Sequence, residues 1–139
     1  MKFQIIKPKT KECPTFDGKD VREAAVAAGL ELNQVDHGMI HRKLGIMVYE
    51  FSLFVPPAEQ SYFSLGGRLY AGNAVLYSID DRGETVDMKH FVVPHWLPDR
   101  EAVEKMIAAK ACARPQMAVN GEVLWRWPEP APRGMTREG

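Results

Sequence analysis

Asn120-Gly121 stands between two short runs, Met117-Ala118-Val119 and Glu122-Val123-Leu124-Trp125. A two-residue hairpin loop of type I′ needs consecutive positive φ angles, and Asn-Gly supplies them at little steric cost. The end of the chain is therefore expected to double back as an antiparallel hairpin. The same punctuation recurs upstream. Asp80-Asp81-Arg82-Gly83 separates strand-like segments at 69–79 and 84–88, and Asp36-His37-Gly38 separates 30–35 from 39–44. Tight turns join antiparallel strands, whereas parallel strands need crossovers of a dozen or more residues. The sheet is thus expected to be mostly antiparallel.

Residues 3–7 form the first expected strand, ended by Pro8. Residues 46–55 carry the strongest strand pattern. Met47, Tyr49, Phe51, Leu53 and Val55 make one apolar face, and the other face, with Glu50 and Ser52, is mixed. Such a strand is expected at the centre of the sheet. Residues 57–63 read as a helical turn, and Gly72-Asn73 as a bulge or kink inside the strand at 69–79. Two helices are expected. The first starts near Asp17 or Asp20, where Asp20 and Glu23 have capping-box spacing. Val21, Ala24, Ala25 and Ala28 form a narrow stripe, and Gly29 stops it. The second starts around Pro98-Asp99, carries Val103, Met106, Ile107 and Lys110 on one stripe, and ends before Pro115.

These elements predict an α+β fold, a mostly antiparallel sheet of hairpins with two helices packed on one face, in the order β-α-β-β-β-β-α-β-β. A length of 139 residues suits one domain, assigned to residues 1–127, with a Pro-rich C-terminal tail at 128–139. Hydrophobic residues at 45% and charged residues at 26% give a globular composition. Eighteen basic residues balance eighteen acidic ones. A neutral chain has no long-range field to draw in nucleic acid or an anionic membrane, and its weak self-repulsion eases self-association. No segment has the roughly 20 apolar residues that span a bilayer, and the apolar start is too short for a signal peptide. The expectation is a cytoplasmic protein with Cys13 and Cys112 reduced.

Candidate chemistry is sparse. His37 and His41 are four apart, but a turn at Gly38 denies them the helix that this spacing needs. On a strand they would lie about 13 Å apart, too far for one ion. No metal and no cofactor is expected. Cys112 falls near a helix C-terminus, where the dipole opposes thiolate formation, and Cys13 precedes a proline without a cation cluster. The Gly-rich run at 66–73 leads into a strand, unlike a phosphate loop, which leads into a helix. Its sharper interpretation is a ligand pocket. Arg68 would clasp a phosphate, Tyr70 would stack on a base, and Asn73 would read its edge.

Trp125 and Trp127 alternate onto one face of the last strand, with Arg126 on the other, immediately before Pro128. Together with Trp96 they are either core or interface. Their closeness to Pro-rich segments and to Arg126 nominates them as a partner-binding surface.

The leading expectation is a small non-catalytic binding protein. It would act by occupying a protein partner, by self-association, or by sequestering a small polar or phosphorylated, nucleotide-like ligand. In general style, short, neutral and without a catalytic signature, it is similar to accessory proteins of phages and plasmids that act on a host protein, although no particular residue carries that likeness. The alternatives are a small enzyme using His41, Glu50, His90 and His95 as acid and base, and a structural subunit whose tail docks on a neighbour.

Overall fold

A computed structural model describes residues 1–131. The fold is α+β with antiparallel sheets and two helices. The strands are β1 (Lys2–Ile6), β2 (Thr15–Asp17), β3 (Val35–His41), β4 (Leu44–Tyr49), β5 (Tyr62–Leu65), β6 (Arg68–Ala71), β7 (Ala74–Ile79), β8 (Thr85–Val86), β9 (His95–Leu97), β10 (Gln116–Val119) and β11 (Glu122–Arg126). The helices are α1 (Val21–Ala27) and α2 (Arg100–Ala108). The large sheet runs β2-β1-β7-β4-β3, with β8 also paired to β7. A second sheet runs β6-β5-β9, and β10-β11 stand as a separate hairpin.

The layers follow from strand alternation. One face of the large sheet carries Phe3, Ile5, Met47, Val75 and Tyr77, and α1 lays Ala24, Ala25 and Ala28 on it. The helix stripe is made of small residues, which lets its backbone approach the sheet closely. The opposite face carries Ile6, Leu44, Ile46, Ala74 and Leu76, and meets Phe63 and Leu65 of the second sheet. The far side of that second sheet, with Tyr62, Leu69 and Leu97, is covered by Val103 of α2 and by Trp125 and Trp127. The order is helix, sheet, sheet, then helix with hairpin.

The helices therefore divide between two sheets and do not share one face, and the element order is richer than β-α-β-β-β-β-α-β-β. A change of sheet inside one expected strand contributes to both differences, and β2, β5 and β9 add strands of their own. The segment at 69–79 is two strands, β6 and β7, which belong to different sheets. Gly72, at φ +77°, turns the corner between them. A glycine at positive φ marks a kink and a change of sheet with the same signature.

The strand expected over 46–55 ends at Tyr49, and Ser52–Phe54 forms a 3-10 turn. Its apolar residues Leu53 and Phe54 pack against the cluster around Trp125. A short apolar run does not by itself distinguish a strand from a buried turn. Likewise Asp36-His37-Gly38 is no turn. All three lie inside β3, which returns to β4 through Arg42-Lys43.

Where capping chemistry was explicit, the elements form as expected. The Asp20 carboxylate accepts from the Glu23 amide at 3.0 Å, and the Asp99 carboxylate accepts from the Ala102 amide at 2.8 Å. Asn120 and Gly121 have φ of 51° and 81°, as a type I′ loop requires. One buried polar residue has no sequence signature. Gln4 donates to the Val92 carbonyl at 2.6 Å and accepts from the Val92 amide at 3.0 Å. Its carboxamide thus imitates a neighbouring strand and pins the irregular segment after β8 to the sheet.

Candidate functional site

Trp125 and Trp127 are only 4% and 1% exposed. Phe54 meets Trp125 edge-on with ring centroids 4.7 Å apart, and Tyr62 meets Trp127 at 5.6 Å and 86°. The Trp125 indole N–H donates to the Glu129 carbonyl at 2.9 Å, which folds the chain after β11 back onto the hairpin. Arg114 donates to both carboxylate oxygens of Glu104 and to the Trp127 carbonyl, tying α2 to the same place. These indoles are core of this chain, and as placed they offer no contact surface. Burial against α2 and β5 explains the pairing of two tryptophans without any partner. Trp96 is half-buried between the sheets, and Arg126 alone of the four is exposed. Of the tail assigned to 128–139, the stretch 132–139 lies outside the described residues.

The trio Arg68, Tyr70 and Asn73 does not assemble into a phosphate site. Tyr70 points into the inter-sheet core and stacks on Phe63 at 5.3 Å. Burial pushes its hydroxyl pKa up, and the charge of Arg68 offsets part of that rise. Asn73, past the Gly72 corner, belongs to a different place.

That place is a cleft of about 400 Å³. Its walls are the end of α1 and the turn after it, Gln34, the segment leaving β4 with Tyr49, Ser52 and Val55, residues 59–61, the β6–β7 corner, and Pro8-Lys9. Hydrogen bonds stitch these segments together. The Asn73 amide nitrogen donates to the Ala28 carbonyl at 2.9 Å, so the corner caps the helix end. The Gly72 amide donates to the Ser61 carbonyl at 2.9 Å, and the Glu50 amide to the Gln34 carbonyl at 2.9 Å. Gln60 donates through Nε2 to the Ser52 carbonyl and accepts at Oε1 from the Tyr62 hydroxyl. The cleft is therefore held open by the fold, within the volume range of small-molecule sites. Gln34 Oε1 is buried and no protein donor reaches it.

The histidines gather nowhere as an acid–base set. His41 and His90 border a second cavity of about 530 Å³ with Lys43, Asp80 and Asp87, whereas Glu50 and His95 lie outside it. Within that cavity several polar groups are already engaged. His41 Nδ1 accepts from the Lys43 amide, Asp80 from the amides of Arg82 and Glu84, and Asp87 from the Lys2 amide. Among the described residues no hydrogen bond joins any two of His41, Glu50, His90 and His95, and no cluster of His, Cys, Asp and Glu has metal-binding geometry. His37 instead sits 3.0 Å from the Tyr77 hydroxyl. Burial raises the pKa of the Cys112 thiol, which disfavours the thiolate.

No family model matches the chain, and no curated protein or solved structure is similar to it. Among the described residues no helix is long and apolar enough to cross a membrane.

Proposed function

We propose that this is a non-catalytic binding protein whose ligand, a small polar organic molecule, occupies the cleft between the end of α1, the exit of β4 and the β6–β7 corner. The observation that carries this is a preformed cleft of about 400 Å³ whose walls are stitched together by hydrogen bonds and combine apolar with polar side chains. The lining contains Ser52 and Ser61 without a histidine base beside them. The phosphorylated ligand expected at Arg68 loses its support, because Arg68 is not on the cleft lining.

The test uses Glu59→Trp. Glu59 is exposed on the rim, so an indole there plugs the mouth without disturbing the core. Freshly purified parent and variant are compared by native mass spectrometry, and by thermal shift against a library of small polar compounds. Compounds that stabilise the parent and not the plugged variant support the cleft. A library that shifts both proteins alike, or neither, removes it.

A second possibility is contact with another protein, and it moves from the indoles to the hairpin tip. Val119, Val123 and Leu124 are all exposed there, on a two-stranded sheet whose outer edges are unpaired. Replacing Val123 and Leu124 with Thr and measuring subunit mass decides it. A lower mass in the variant supports self-association through the tip, and an unchanged monomer eliminates it.

A further inference from the structure

We infer that β3 is a pairing edge for a second copy of this chain, joined antiparallel about a two-fold axis at His37. β3 ends the large sheet, and among the described residues only β4 pairs with it. One hydrogen bond fixes the direction of its backbone groups. The Gln34 carbonyl accepts from the Glu50 amide at 2.9 Å, in the same register that sets Val35 opposite Tyr49. Hydrogen-bonded and non-hydrogen-bonded pairs alternate along an antiparallel ladder. Asp36 and Gly38 therefore turn their N–H and C=O groups to β4, and Val35, His37 and Met39 turn theirs outward.

Native edges are blunted by shortness, proline or lysine. The opposite edge of the sheet, β2, has three residues. β3 has seven, without Pro, Lys or Arg, and its one irregularity comes after Met39. His37 and Met39 are both exposed. With eighteen basic and eighteen acidic residues, the chain sets little net repulsion between copies.

The strand is also complementary to itself. A two-fold at His37 sets Val35 against Met39 of the second copy, and Met39 against its Val35. All three outward residues then find partners, with an apolar cross-strand pair on either side of the axis. A two-fold at any neighbouring residue leaves an outward residue without one. Asp36, the strand's only formal charge, falls opposite Gly38 and not opposite a like charge. Gly38 has no other explanation. Its φ is not positive, and a Cβ there would meet only Ile46, at an ordinary 3.6 Å. Glycine inside a strand often marks the close approach of another backbone, which the second copy supplies. An extended peptide from another protein has no need of this two-fold symmetry.

Sedimentation velocity of the full chain from about 5 to 500 μM tests the pairing. The expected result is a monomer–dimer equilibrium within that range, with a dissociation constant raised at least about tenfold by Met39→Lys. The hairpin-tip variant with Thr at 123 and 124 should leave that constant unchanged. Mild oxidation supplies the register. Facing Cα atoms at the axis lie about 5.5 Å apart, within reach of a disulfide. His37→Cys in a Cys13→Ser background should therefore give a covalent dimer. Met39→Cys in the same background should not, because the two copies of that position are displaced by about 13 Å along the strands. Circular dichroism melts confirm that each variant is folded. A monomer throughout the range overturns the pairing. So does a dimer that Met39→Lys leaves intact, or one that Met39→Cys links as readily as His37→Cys.

Discussion

Gly45 lies at the centre of the large sheet, directly opposite Tyr77 across the β4–β7 pair. A Cβ added at Gly45 would sit 2.5 Å from Tyr77 Cε2 and 2.7 Å from its hydroxyl oxygen. No side chain fits at those distances, so the tyrosine ring lies over bare backbone, as aromatic residues do when they cover a glycine in a sheet. Gly45→Ala must displace the ring. Overpacking of this kind costs about 1–3 kcal/mol. Ring displacement also breaks the 3.0 Å contact between the Tyr77 hydroxyl and His37, worth about 1 kcal/mol. Alanine returns about 0.5–1 kcal/mol through lower backbone entropy. The net expectation is a loss of about 2 kcal/mol, read by equilibrium urea denaturation followed by circular dichroism. The control is Tyr77→Leu, which removes the ring atoms that clash and keeps an apolar side chain. In that background Gly45→Ala should be neutral or slightly stabilising. A penalty under about 0.5 kcal/mol in the parent, or an equal penalty in both backgrounds, would show that the ring does not lie on Gly45.

Trp127→Ala should cost about 3–5 kcal/mol, because the ring is buried against Tyr62 and not held for a partner; acrylamide should quench parent Trp125 and Trp127 far less than the unfolded chain, and full quenching would contradict their burial. Glu104 accepts two hydrogen bonds from Arg114, chiefly for which its carboxyl pKa is lowered. A carboxyl lowered in the folded state stabilises above its unfolded pKa and loses that contribution as pH falls through the folded value. Glu104→Gln should therefore cost about 1 kcal/mol at neutral pH, a figure kept small because the pair is about one-third exposed. The difference from the parent should shrink below roughly pH 4.3. Urea titrations at several pH values measure it, and a pH-independent difference would remove the ion pair from the explanation.

Local chemistry was legible wherever one residue sufficed to specify geometry. Asp20 and Asp99 cap the two helices, Gly29 stops the first at φ +81°, and Asn120-Gly121 closes the last hairpin. Each feature depends only on neighbours in sequence. What stayed hidden depends on tertiary placement. Alternation along residues 74–79 states which side chains share a face, but not that β6 immediately before them belongs to another sheet. Tyr62 to Leu65 and His95 to Leu97 are short, and they become strands through pairing, the first with β6 and with the second, the second with the first alone. The indoles of Trp125 and Trp127 were correctly placed on one face, yet alternation is silent on whether that face meets its own core or a partner. The cleft was the least visible feature. Of the residues nominated from sequence for ligand binding, only Asn73, expected to read a base edge, lies on its lining, while Gln34, Ser52 and Glu59 belong to no motif and meet only through the fold.

The cleft arises where the chain leaves regular structure three times at one end: after α1 at Gly29, after β4 at Glu50, and at the Gly72 corner between sheets. Backbone groups freed at such places need partners, and Asn73 and Gln60 provide them. Those two residues are fully explained by folding alone. Gln34 is different. Its main chain joins the turn through the Glu50 amide, but its side-chain oxygen does nothing for the fold and is buried without a protein donor. If the site existed only for structure, an apolar residue of the same length would serve better. Gln34→Met keeps the backbone bond and the volume and removes the unpaired acceptor. It should raise the stability of the protein by about 1 kcal/mol, seen as a higher urea midpoint with an unchanged slope. A Gln34→Met protein that is less stable than its parent would instead show that the Gln34 carboxamide contributes to the fold.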